Sequence, residues 1–315
     1  MISGGVPRKS TPVLLGLLSS LFFSTTFVIN RAIGLAGGHW VWTAVLRYAW
    51  VLVFMGAFFL VKGTLGQVLT AFRKHWLFWV VAGSIGYGAF YASLSFASTR
   101  APGWIVACTM QFTILATPLV LLAFGARIRR SGLLLLLLIF AGIVMVNFDH
   151  RASNSTAQIL GVLPVLIAAF AYPIGNQLVQ EGRNGGRGWI PALTDAITAD
   201  APAHVLLLTL GSVPFWAVIL LLPHAAAPTS QQIIGTGVVA LCGTVIGTSI
   251  FLKARQSVGR DANAIAKVDA TQAGYTAFSL AGEVLFLSGA LPGVVGVAGL
   301  VLVLGGLAVY AATAH

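Results

Sequence analysis

Charge is what this chain has least of. Of its 315 residues only seven are Asp or Glu, and all charged residues together make up 8%, against about 25% in an ordinary soluble domain. A chain this poor in charge cannot cover a water-facing surface of ordinary composition. Cysteine is scarce too: Cys108 and Cys242 both fall inside apolar runs. They form neither a disulfide framework nor a metal-ligand spacing and read as small buried hydrophobes. The six His are scattered without metal spacing. There is no G-x-x-x-x-G-K-[ST] loop, which argues against direct drive by ATP. Long polar connections are also missing, so no soluble catalytic domain fits between the apolar runs.

What the chain has in abundance is apolar sequence, 58% of the total. A membrane-spanning helix needs roughly 20 mostly apolar residues. Ten such stretches fit, at 12–33, 40–61, 76–98, 103–124, 131–149, 158–181, 201–222, 232–252, 263–288 and 291–312. Within hydrocarbon every backbone polar group must be satisfied internally, which leaves helices or closed barrels. Uninterrupted runs such as Leu133 to Leu138 lack the alternation of barrel strands. The expected fold is all-α, a polytopic membrane protein of ten helices. The first run follows Arg8 and Lys9 in the manner of a signal peptide, but it is long and leads directly into another span. It is read as a retained helix.

The net charge of +11 would suggest nucleic acid in a soluble protein; here it follows the loops. With the N-terminus in the cytoplasm, thirteen of the eighteen Lys and Arg collect on the cytoplasmic side: Arg8, Lys9, Lys62, Arg73, Lys74, Arg127, Arg129, Arg130, Arg183, Arg187, Lys253, Arg255 and Arg260. Three fall outside (Arg31, Arg100, Arg151), and Arg47 and Lys267 lie within spans. That bias is the positive-inside pattern and places both termini in the cytoplasm. The longest connection, about Gly182 to Asp200, carries four glycines and then Trp189-Ile190-Pro191. Its composition predicts a mobile connector with an interfacial anchor.

The chain also looks duplicated at a period of about 145–165 residues. Gly16 to Arg31 matches Gly161 to Gln177, Cys108-Thr-Met-Gln111 matches Asp269-Ala-Thr-Gln272, and Phe140 to Ile143 matches Leu304 to Leu307. Five spans per half is an odd number, so residues 1–150 and 151–315 would be inverted five-helix repeats. Secondary transporters are often built this way, with the solute site between the halves near the midplane.

The runs Phe22 to Asn30, Gly37 to Trp42, Leu46-Arg47-Tyr48, Asn263 to Gln272 and Leu280 to Phe286 resemble the drug/metabolite transporter superfamily. More narrowly, they are similar to its ten-helix multidrug resistance efflux branch, related to EamA-like permeases. The resemblance covers nearly the full length and implies an exporter of small organic molecules in the bacterial inner membrane. The smaller four-helix relatives carry a carboxylate in their first helix. Ser19, Ser20, Ser24, Thr25 and Thr26 stand there in this chain, so that coupling scheme does not transfer.

Ionisable groups inside a bilayer are costly and are functional candidates by default. Asp269, Gln272, Thr276, Ser279 and Glu283 fall within about 80° of arc on one helix, a polar stripe that should face protein or water rather than lipid. Asp269, roughly 9 Å from the cytoplasmic end, and Glu283, near the outer end, are the candidate proton carriers. Each also has a structural alternative as an ion-pair partner or helix cap. Arg47 heads a second stripe with Trp40, Thr43, Trp50 and Phe54. At about 10 Å depth it matches Glu283, which predicts an Arg47–Glu283 pair; alternatively its fork binds an anionic solute group. Tyr87, Tyr91, Gln111, Tyr172 and Asn176 complete the expected solute pathway, with ordinary aromatic packing as the competing explanation.

The function this supports is secondary export by alternating access, coupled to protons, of drug-like compounds or metabolites; an amino-acid exporter is the alternative. An integral-membrane enzyme would need clustered catalytic groups, and a scaffold need not keep buried charges. No cofactor is expected. The partners are the solute, protons and the bilayer, with a homodimer left open.

Overall fold

The computed structural model describes residues 11–125, 133–149, 156–222, 227–258 and 262–313. Seven of the cations in the orientation count (Arg8, Lys9, Arg127, Arg129, Arg130, Arg151 and Arg260) lie outside these residues. So do the two ends of the chain and the first residues of the predicted 131–149 span.

Among the described residues the architecture is helical, apart from one isolated antiparallel bridge between Arg187 and Ile190. The first half contains α1 (Thr11–Leu35), α2 (Trp40–Val61), α3 (Leu65–Lys74), α4 (Trp76–Gly83), α5 (Phe90–Ser98), α6 (Gly103–Met110), α7 (Thr113–Ala123) and α8 (Leu133–Asn147). The second contains α9 (Thr156–Arg183), α10 (Ala201–Ile219), α11 (Ser230–Val239), α12 (Thr248–Ser257), α13 (Ala262–Ala270), α14 (Gly274–Leu287) and α15 (Val294–Thr313). Seven helical stretches are long and apolar enough to cross a membrane: 11–35, 40–61, 76–98, 103–123, 161–183, 201–219 and 230–255. Two more apolar helices, Leu137–Asn147 and Val294–Val309, are shorter.

Several of these helices change winding partway. A π-helical stretch at Ser84–Ala89 joins α4 to α5, and another at Ala240–Gly247 joins α11 to α12. The chain tightens at Gln111 and Phe112 between α6 and α7, and at Thr271–Ala273 between α13 and α14. Such departures often sit at functional sites in helices.

Small residues set the helix contacts, as expected where lipid offers no hydrophobic drive between helices. Gly211 of α10 lies so close to α4 that an added Cβ would strike the Trp79 carbonyl oxygen. Gly142 of α8 and Gly299 of α15 face each other's carbonyl oxygens, and a Cβ on either would come within 2.7 Å. Helix α1 packs against α11, α12, α13 and α14.

The connection at 182–200 differs from the mobile segment that its composition predicts. Gly185, Gly186 and Gly188 adopt positive φ, and the turn they make closes the Arg187–Ile190 bridge. The Leu193 amide donates to the Gly182 carbonyl at 2.8 Å. Ile190 and Leu193 then bury against Trp79 and Leu206. Two apolar anchors turn a glycine-rich linker into a packed cap, with Trp189 left exposed.

Candidate functional site

Polar groups converge in three places, each tying residues far apart in the sequence. The first surrounds Arg47, which is 9% exposed. Its Nη1 donates to Thr26 Oγ1 at 3.4 Å and its Nη2 to Thr244 Oγ1 at 3.2 Å. The guanidinium lies 4.1 Å above the Tyr91 ring centroid, a cation–π contact, and Nε has no acceptor. The Tyr91 hydroxyl is fixed by Asn30, with bonds of 2.9 and 3.1 Å. Tyr48, next along α2, stacks on Trp216 at 5.1 Å and meets Tyr87 at 5.4 Å and Tyr91 at 5.6 Å. The result is a cation in a box of aromatic rings and hydroxyls. Among the described residues, the ion pairs of 4.0 Å or less are Arg31–Glu283, Lys62–Asp200, Lys74–Asp195 and Arg255–Asp269. Arg47 is in none of them.

The second place is the end of the bundle around Glu283. Pro102 starts α6, whose first amides lack partners in the helix. The Glu283 carboxylate accepts one of them, Trp104 N–H, at 3.2 Å. Gly103 makes room for this, since a Cβ there would lie 2.6 Å from the Phe27 carbonyl oxygen and 3.4 Å from Glu283 Oε2. Arg31 Nε sits 3.8 Å from the other carboxylate oxygen, with the two side chains 17% and 6% exposed. Glu283 therefore pairs with Arg31, and the expected Arg47–Glu283 pair is not formed. Depth along straight helices does not anticipate this, because Arg31 at the end of α1 lies within reach of Glu283.

The third place is the stripe on α13 and α14. Thr276, Ser279 and Glu283 are buried, with Asp269 and Gln272 half-buried. Gln272 Nε2 donates to Ser19 Oγ at 3.0 Å, and Gln111 Nε2 donates to Thr276 Oγ1 at 3.2 Å. The two glutamines that the repeat would make equivalent thus reach different partners, one on α1 and one on α14. Asp269 lies in an ion pair with Arg255 at 3.0 Å, both side chains more than two-fifths exposed.

The remaining expected residues divide by exposure. Tyr91 is fully buried and supports Arg47, whereas Tyr87 is half-buried against Tyr48. Tyr172, 41% exposed and 5.2 Å from Phe90, shares an exposed edge of α9 with Asn176 and Gln180. The opposite edge of α9, with Ile167 and Ile174, lines an apolar groove of about 450 Å³ together with Ile85 and Ala89. Sequence reasoning missed Arg31, Thr26, Thr244 and Asn30 as partners. Thr26 and Asn30 lie in the quoted run Phe22 to Asn30, but nothing in spacing alone assigns Thr26 and Thr244 to Arg47 or Asn30 to Tyr91.

Among the described residues no three His, Cys, Asp or Glu side chains gather as a metal would require. Apolar helices long enough to cross a membrane, with scarce polar groups gathered between them, make this a multi-pass membrane protein. The chain belongs to the EmrE family of the drug/metabolite transporter superfamily, whose model, described as "Putative multidrug resistance efflux transporter", matches residues 10–315. It is 34% identical over 311 residues to "Uncharacterized protein YjlA" of Bacillus subtilis (strain 168), covering 94% of this chain and 92% of that one. It is 32% identical over 286 residues to an "Uncharacterized 42.1 kDa protein" of Shouchella clausii, covering 87% and 72%. A solved crystal structure matches over 98% of both chains with a TM-score of 0.59 at 17% identity, a likeness of fold.

Proposed function

We propose that this protein is a secondary transporter that exports small organic molecules across the bacterial cytoplasmic membrane, with both termini in the cytoplasm. All ten helical stretches cross, and the halves 1–150 and 151–315 are inverted repeats that rock about the polar interior. The observation that carries this reading is the unequal closure of the two ends. One end is held by Arg31–Glu283, nearly shielded from solvent, and by Trp104 N–H on the same carboxylate. The other end has Lys62–Asp200 and Lys74–Asp195, each 3.2 Å and with side chains 30–48% exposed. Exposed pairs are worth about 0–1 kcal/mol each, so that end opens easily while the Glu283 end holds. A bundle tied firmly at one end and loosely at the other suits alternating access. Two further features support the repeat: both π-helical stretches fall in the third span of a half, and both tightened turns in the fourth.

Of the two proton-carrier candidates, Glu283 is the better placed to couple. Its contacts join α14 to α1 and α6 across the halves, whereas Asp269–Arg255 joins α12 to α13 within one half. A proton from outside neutralises Glu283, releases Arg31 and the α6 amide, and lets the halves part outward so that solute leaves. When the bundle next opens to the cytoplasm Glu283 gives up the proton on that side and pairs with Arg31 again. The test compares cells with and without the gene in a growth-inhibition and metabolite-leakage screen, repeated with Glu283→Gln. Gene-dependent resistance or leakage that Glu283→Gln abolishes supports the reading. Identical profiles with and without the gene overturn it.

A further inference from the structure

We propose that a cleft between α2, α10 and α12 leads to Arg47, and that the solute it admits is a monoanionic amphiphile, a carboxylate on an apolar or aromatic body. This rests on the transport reading above and names its substrate class. The cleft is lined by Phe54, Met55 and Phe58 on one wall and by Val205, Thr244 and Leu252 on the other, and holds about 80 Å³. A water occupies about 30 Å³ of liquid, so this is room for a carboxylate and little more. The apolar remainder of a solute would lie along Phe54 and Phe58. Thr244 links cleft to cation, since it lines the one and accepts a hydrogen bond from the other. Pro202 also lines the cleft, and close to it in the chain Asp200 is already matched by Lys62.

Charge selects the solute. Arg47 is buried among hydroxyls and rings, none of them an anion, and its Nε donates to nothing. The guanidinium has five N–H donors in a planar fork that suits a carboxylate held bidentately. A cationic solute would meet an uncompensated positive charge, and a dianion would leave net negative charge in the bilayer interior. A single carboxylate neutralises the site, and its apolar or aromatic body stays in the cleft along Phe54 and Phe58.

The test uses the full chain purified in detergent and three probes of one shape: 3-phenylpropionate, 3-phenylpropionamide and 3-phenylpropylamine. Binding is read from intrinsic tryptophan fluorescence and from the shift in unfolding temperature. The carboxylate should bind at least tenfold more tightly than the amide or the amine. Arg47→Gln should lose that preference, and Arg47→Lys should keep part of it, because Lys supplies charge without the fork. Thr244→Val should weaken the carboxylate several-fold and lower the unfolding temperature modestly, by the loss of one bond to Arg47, and it decides the matter if Arg47→Gln does not fold. Three results overturn the proposal: equal or tighter binding of the amine, a carboxylate affinity untouched in Arg47→Gln or Thr244→Val, or no binding of the carboxylate. Gradient-driven export that persists in any of these cases would leave the transport reading standing and remove this one.

Discussion

Neutralising Glu283 should loosen the end of the bundle that Arg31 and α6 share with it, and the size of the effect follows from the geometry. At 3.8 Å and an effective dielectric near 20, two unit charges attract by about 4 kcal/mol. Removing one partner of a buried pair costs about 3–5 kcal/mol, because the other charge is left uncompensated. Arg31 is 17% exposed and can turn partly to water, so Glu283→Gln should cost about 3 kcal/mol. Arg31→Met leaves the carboxylate still holding Trp104 N–H, a charge-assisted bond worth about 1.5–3 kcal/mol, so its cost should be nearer 2 kcal/mol. The double variant orphans neither charge and should lose about 3 kcal/mol, some 2 kcal/mol less than the two losses added. The assay is unfolding in mixed micelles titrated with sodium dodecyl sulfate, followed by circular dichroism. Simple addition of the two losses would refute the pairing. The cycle between Arg47→Gln and Glu283→Gln is the control and should be additive, since those two residues share no bonded partner.

Gly211→Ala should destabilise by about 1–3 kcal/mol in the same assay, the usual cost of overpacking, because its Cβ meets the Trp79 carbonyl. Gly305→Ala, where nothing lies within 4 Å of the new Cβ, should be neutral or slightly stabilising. Lys62→Gln and Lys74→Gln should each cost less than about 1 kcal/mol, and the loss should vanish in high salt. Any larger, salt-independent effect would contradict the weak closure of that end. Gln111→Leu removes its bond to Thr276 and should cost about 0.6 kcal/mol, the mean for such bonds between membrane helices. A loss beyond about 2 kcal/mol would mean that this contact does more than join two helices.

The helices were legible because run length and apolarity dictate them: α2 and the 76–98 stretch begin and end where the sequence reading put them. The changes of winding were not legible. Gly83, Gly86 and Gly88 mark Ser84–Ala89 as permissive, but only the packing of Gly86 against Gly175 and Gly83 against α10 gives the stretch its form. Helical periodicity alone sets which residues of the stripe from Asp269 to Glu283 share a face, and Thr276, Ser279 and Glu283 are buried. The stripe's partners were not legible, because depth along an ideal rod ignores the break at Thr271–Ala273 and the reach of Arg31. The glycine-rich connection was misread for a related reason: composition reports its turns, whereas the burial of Ile190 and Leu193 depends on a surface formed by other helices.

Inside-out membrane vesicles that respire acidify their lumen and so offer the most direct test of coupled export. A solute selected by the growth screen should accumulate in such vesicles only while the proton gradient stands, and collapse of the gradient with nigericin should release it. Glu283→Gln should leave solute exchange intact at equilibrium and abolish accumulation. Accumulation that survives both nigericin and Glu283→Gln would contradict proton-coupled export through this bundle.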